Sequence, residues 1–250
     1  DIVPSVLARQ EKFVDPVTGL ERIRWLPRRS PELPRAAHFD YSVSDDAAGF
    51  AFGYSPGTVD IRRKVGGNEI SETIPIVVIE GMLQVVPPRG GEIQLASMRG
   101  LVHMLERYGF RFENIGFDQF QSKESGQVLQ SEGYEVNWLS VDRKIDAYMN
   151  LKYGIYGNRV LFYDHPVLIR ELAKLQLDRK RNKVDHPEFD KDNPSGKGSK
   201  DVADCVAGVC QYFADTYTKV REIHMPHEIP FDPDDEEMKA EAINDFLKGL

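Results

Sequence analysis

Ser199-Lys200-Asp201-Val202-Ala203-Asp204-Cys205-Val206-Ala207-Gly208-Val209 is the stretch on which the fold turns. Val202, Cys205, Val206, Val209 and Phe213 recur at helical spacing, and the residues between them are small enough for a helix that packs tightly on a sheet. Asp201 and Asp204 stand three apart at the helix start, so both carboxylates share one side, where the helix dipole favours negative charge. An unpaired carboxylate at Asp204, one turn inside so apolar a helix, is costly, and a metal ion or a second acid's proton relieves it.

Upstream of that helix, residues 36–41 and 49–54 read as strand pieces around a polar 42–46 segment. Residues 59–64 and 72–84 read as further strands, set off by Gly66-Gly67 and Pro87-Pro88. Met98, Leu101, Val102 and Leu105 mark a helix ending near Gly109, and 114–117 is a short buried strand. Helices follow at about 123–131, 143–153 and 166–175, with strands at 134–139 and 159–163 between them. That order implies an α/β fold, a mixed β-sheet flanked by helices, over residues 36–220. Residues 1–35, with five prolines, read as a linker or edge extension, and 221–250 as an acidic C-terminal tail.

Two other segments supply acids at strand ends. Asp40 closes the first core strand, with Ser42 and Asp46 polar where a buried strand would continue apolar, and Asp118 closes Ile115-Gly116-Phe117. A lone aspartate at a strand end is ordinarily a turn or cap residue. Three acidic segments brought together form instead an oxygen-rich cage for a hard divalent cation such as magnesium, the equipment for cutting phosphodiesters.

The formal charge is -8, but residues 221–250 carry nine acidic against three basic side chains, a net of -6 that leaves -2 for the body. The total argues against tight, indiscriminate DNA binding and leaves room for a local basic track. Residues 178–200 hold seven basic and five acidic side chains. Arg179, Lys180, Arg181 and Lys183, with Lys197 and Lys200 near the third acidic segment, read either as a grip on DNA phosphates or as a solvated hairpin. His186, nearby, reads as structural or as an aid to proton transfer. Pro226 between His224 and His227 spoils a helical ligand pair. Cys205 and Cys210, in one helix, have neither disulfide nor zinc-site spacing, which implies a reducing, cytoplasmic setting. No apolar run reaches membrane-spanning length, and Asp1-Ile2-Val3-Pro4 resembles neither a signal peptide nor a natural start, so the chain reads as a fragment.

Together, Phe39-Asp40-Tyr41-Ser42 with Asp46 and Gly49, Gly116-Phe117-Asp118-Gln119-Phe120-Gln121-Ser122, Leu139-Ser140-Val141-Asp142-Arg143, Arg170-Glu171-Leu172 and Gly198-Ser199-Lys200-Asp201-Val202-Ala203-Asp204 resemble the nuclease domain of the large terminase subunit of tailed bacteriophages. The resemblance covers roughly residues 36–213. It implies a ribonuclease H-like fold in which Asp40, Asp118 and both Asp201 and Asp204, one of them the essential third ligand, bind two Mg2+ or Mn2+ ions as the catalytic acids, with Asp46 as an auxiliary acid. It further implies endonucleolytic cutting of double-stranded DNA, viral genome concatemers, during packaging in the cytoplasm of the infected host. The portal or procapsid is the implied partner of the acidic tail, which reads equally as solvating.

Complete large terminases begin with an ATPase domain. No Gly-x-x-x-x-Gly-Lys-Ser/Thr loop occurs here, and Ser195-Gly196-Lys197-Gly198-Ser199 is only a partial imitation. The chain is therefore expected to cut DNA and not to pump it. A junction-resolving or repair nuclease of the same fold, or a non-catalytic docking module, are the alternatives. Nothing in the sequence reads a 2′-hydroxyl, which disfavours ribonuclease activity on hybrids.

Overall fold

The computed structural model describes residues 7–42, 47–65, 68–118, 122–141, 145–193 and 195–224, with the backbone alone at 62–65, 68–70 and 217–224. The N-terminal extension takes the form of an antiparallel hairpin, β1 (Ala8–Val14) with β2 (Glu21–Pro27). Cross-strand ion pairs lie on both of its faces, Lys12–Glu21 at 2.7 Å on one and Arg24–Glu11 at 2.8 Å on the other. The Trp25 ring anchors it, meeting Tyr108 edge-on at 5.1 Å.

The main sheet is built from β3 (Arg35–Asp40), β4 (Ala48–Val65), β5 (Asn68–Val85), β6 (Phe112–Phe117), β7 (Val136–Trp138) and β8 (Val160–Leu161), in the spatial order β7-β6-β3-β4-β5-β8. β3, β4 and β5 run antiparallel in sequence, while β6 pairs with β3, β7 with β6, and β8 with β5, all in parallel. Residues 49–54 and 59–64, read from sequence as separate pieces, are one 18-residue strand. The register slips twice, at Phe52/Gly53 and Tyr54/Gly57, which lets it bend without ending.

Among the described residues, five helices complete the architecture: α1 (Leu95–Arg107), α2 (Lys123–Ser131), α3 (Asp146–Tyr156), α4 (Pro166–Lys174) and α5 (Asp201–His224). This is the mixed sheet flanked by helices expected from the element order. Alternation along β3 sorts the two cores. Ala37 and Phe39 point to the face covered by α1 and α2, where Phe39 stacks on Phe50 at 4.4 Å and on Phe117 at 5.2 Å. Ala36 lies on the other face, with Val202, Val206 and Val209 of α5 and Leu151 of α3.

Small residues on that second face decide how close α5 comes. A Cβ on Gly49 would stand 2.1 Å from the Asp201 carbonyl oxygen and 2.8 Å from Cys205 Sγ, so only glycine admits the helix start at this point. Gly49 is also the residue opposite Asp40 in the ladder. The same contact that packs α5 on the sheet therefore carries its first turn to the end of β3.

At the opposite end of β3, Arg35 is wholly buried. Its Nε donates to Glu80 Oε2 at 3.0 Å, and its two Nη groups donate to the carbonyls of Ser30 at 2.8 Å and Arg29 at 2.7 Å. The guanidinium also lies over the rings of Tyr54 and Phe110, at 4.9 and 5.3 Å. Burial pushes the Glu80 carboxyl up, and the Arg35 charge opposes the shift. One side chain thus ties β3 to β5 and to the chain leaving the N-terminal hairpin.

Candidate active site

Two adjacent parallel strands deliver the first two acids. Phe39 and Phe117 are register partners, and the Asp118 N–H donates to the Phe39 carbonyl at 3.3 Å, so Asp40 and Asp118 emerge side by side where β3 and β6 end. Carboxyl ends of parallel strands are the usual place for a site in such a sheet. Ser140 Oγ donates to Asp118 Oδ2 at 3.3 Å. α5, seated on Gly49, brings Asp201 and Asp204 to the same end, and sets the Cys205 thiol against the main chain of Asp40.

The electrostatics of Asp40 register this gathering. Its carboxyl is held well above the ordinary range, first by burial, then by the negative charges of Asp204 and Asp201, with a smaller push from Asp118, while Lys200 opposes the shift. Asp40, Asp118 and Asp201 remain partly exposed, and Asp204 is buried. Three distant acidic segments thus share one neighbourhood. Among the described residues, no three acidic, histidine or cysteine side chains are drawn in tightly enough to hold an ion as they stand. The donor set is nonetheless carboxylate oxygen throughout, which suits magnesium or manganese rather than a soft metal.

Several partners hold the third segment in place. Gln84 Nε2 donates to Ser199 Oγ at 3.0 Å and to Asp201 Oδ2 at 3.1 Å, and Ser199 Oγ contacts Asp201 Oδ2 at 2.9 Å. Asp204 takes the Tyr148 hydroxyl on Oδ1 and the Lys200 ammonium on Oδ2. Glu171 of α4, 2% exposed, accepts the Ala203 N–H at 2.9 Å and the Ser199 hydroxyl. Burial, followed by the charges of Asp201 and Asp204, pushes the Glu171 carboxyl up to about 7 against these hydrogen bonds.

A native carboxyl titrating near 7, against 4.5 when free, binds more proton folded than unfolded between those values, so stability falls as pH rises through that window. Glu171→Gln removes the contribution. The drop in thermal midpoint between about pH 5 and pH 8 will be smaller in the variant than in the wild type, measured by circular dichroism. Equal slopes would show that Glu171 titrates normally.

Glu171, Tyr148 and Gln84 were not singled out as site residues from the sequence. For Glu171 a signal existed: it lies at i+3 from Leu168 and i-4 from Leu175, both buried, where a helix facing the core would carry an apolar side chain. Tyr148 and Gln84 carry no comparable mark.

Lys200 corrects an expectation. Read as a phosphate contact, it is instead 6% exposed, its ammonium turned inward on Asp204 four residues along the same helical path. Arg179, Lys180 and Arg181 are exposed at the tip of a small hairpin, β9 (Gln176–Asp178) with β10 (Lys183–Asp185). Asp178 shapes that tip by accepting the N–H groups of Lys180 at 2.9 Å and Arg181 at 3.2 Å. Arg181 pairs with Asp178 and Lys183 with Asp185, both at 3.3 Å, and Lys197 is exposed nearby in sequence to α5. His186 Nδ1 lies 2.9 Å from the Pro187 carbonyl, with Gly198 packed against both residues. Asp46, the Gln119–Gln121 stretch, Asp142, Arg143 and the segment 225–250 lie outside the described residues.

Among the described residues no helix is long and apolar enough to cross a membrane. No family model matches the chain, and no curated protein matches it. Among solved structures, the HK97 bacteriophage large terminase is similar at a TM-score of 0.49 and 12% identity, over 75% of this chain and 40% of that one. The large terminase nuclease from thermophilic phage G20c is similar at a TM-score of 0.48 and 12% identity, over 73% of this chain and 84% of that one.

Proposed function

We propose that this chain is a metal-dependent endonuclease that hydrolyses phosphodiesters of double-stranded DNA, in the setting of viral genome packaging. The observation that carries the reading is the meeting of Asp40, Asp118, Asp201 and Asp204 at one end of the sheet, close enough for three of them to raise the fourth. Such crowding of like charge is unfavourable in an empty fold and favourable around a divalent cation. Function explains it better than stability does.

Bound magnesium or manganese supplies the Lewis acidity for attack of water on phosphorus. The chain's own contribution is placement. Asp40, Asp118 and Asp201, partly open to solvent, are the oxygens that would hold the ion. Glu171, Ser199 and Gln84 fix the first turn of α5, so that its acids cannot drift from the strand ends. Arg179, Lys180, Arg181 and Lys197 would meet the DNA phosphates, with no element suited to reading bases. In a packaging motor, the ATPase domain of the parent protein and the portal or procapsid would be the partners.

A gel tests the reading. Supercoiled plasmid incubated with the chain will convert to nicked and linear forms with magnesium or manganese, and will stay intact with chelator. Conversion untouched by chelator, or none with either ion, would remove the proposal. Equal cutting of linear duplex and of branched substrates separates a packaging nuclease from a junction resolvase.

A further inference from the structure

Phe189 is the most exposed aromatic side chain among the described residues, at 71%. The turn that carries it is nonetheless braced. Phe189 bridges Lys197 across the turn, with the Asp190 N–H on the Gly196 carbonyl at 3.1 Å and the Gly198 N–H on the Glu188 carbonyl at 3.2 Å. Asn193 Nδ2 donates to the Lys197 carbonyl at 2.6 Å. Beneath the turn, buried Asp190 receives the Lys174 ammonium and lies 3.6 Å from Arg170 Nε. Arg170 and Lys174 belong to α4, the helix whose Glu171 holds Ser199 and Ala203 at the start of α5. One helix therefore fixes both the Phe189 turn and the third acidic segment. The four residues from Lys197 to Asp201 span at most about 14 Å of chain. A strand spacing of ~5 Å separates Lys197 from Phe189, which sets the ring within roughly six base pairs' length of the acids.

We propose that Phe189 is a DNA contact, its ring wedged against the bases beside the cleavage site so as to unstack one step, while Lys197 across the turn meets the backbone. The contact rests on the nuclease reading above and deepens it. A phenyl ring left in water forgoes the gain from its burial, and a braced turn that presents it has preset the geometry for a flat apolar partner. Every base offers such a face whatever the sequence, which suits a chain with no element for reading bases. Local charge permits the approach. Lys174 and Arg170 offset Asp190, and Lys174 also meets Asp192 at 2.6 Å, so the other exposed charges of the turn are Glu188 against Lys191 and Lys197.

Fluorescence of short duplexes carrying 2-aminopurine at successive positions, titrated with the full chain in calcium, tests the contact apart from cleavage. The wild type is expected to brighten the probe at one step. Phe189→Ala is expected to bind about tenfold more weakly and to lose the brightening, with the melting temperature and the salt dependence of binding unchanged. Phe189→Trp will restore both affinity and brightening, whereas Lys197→Ala will keep the brightening and lower the salt slope by about 1. Binding without brightening in the wild type, or wild-type affinity and brightening in Phe189→Ala, overturns the proposal and leaves the nuclease reading standing. Failure of the wild type to bind duplex also overturns it, and plasmid conversion with magnesium or manganese then decides the nuclease reading separately.

Discussion

Asp40→Asn will lower plasmid cleavage by roughly a thousandfold or more, about 4 kcal/mol of barrier, with the fold retained. The amide has the shape of the carboxylate but lacks its charge, so a divalent ion loses the carboxylate on which the charges of Asp204, Asp201 and Asp118 all act. Stability will move the other way. Asp40 is pushed up by burial and by Asp204, Asp201 and Asp118, and removing its charge relieves all of these at once. Without added metal, the variant will therefore melt at a higher temperature than the wild type. A fully active Asp40→Asn protein would end the assignment, and a lower melting temperature would show that the carboxylate stabilises the empty fold.

Arg35→Met will destabilise the protein by about 3–5 kcal/mol, because removing one partner of a buried pair leaves an uncompensated charge. Glu80, buried on β5, loses the guanidinium that opposes its upward shift, and the carbonyls of Arg29 and Ser30 lose their donors. Methionine fills much of the volume between Tyr54 and Phe110 but donates nothing. Urea denaturation measures the loss. Arg35→Met combined with Glu80→Gln will recover part of it, since no charge is then left unpaired. A double variant no more stable than the single one would place the effect in packing alone.

Much of the fold was legible because local pattern and tertiary role coincide. The stripe Met98, Val102, Leu105 is buried as its spacing requires, and α2 begins and ends where its residues change character. Short strands were less legible. β7 and β8 are three and two residues long, and pairing with β6 and β5 sets their limits more than their own composition does. The hairpin β1–β2 was not legible as a hairpin, because its strands alternate weakly and carry ion pairs on both faces.

The site divides in the same way. Asp40, Asp118, Asp201 and Asp204 could be named from sequence, since each sits where a strand ends or a helix begins and their chemistry depends on residue type. Lys200 could not be judged, because a lysine beside a basic loop reads alike whether it faces solvent or carboxylate. Residue type and spacing determined the elements, their order and the acids at their ends, since these depend on near neighbours in the chain. Only the tertiary structure decided that Gly49 admits the start of α5, that Glu171 reaches Ala203 and Ser199 from another helix, and that Lys200 turns inward to Asp204. Those facts hang on which surfaces meet, and burial, which sets the worth of every charge in the site, exists only once they have met.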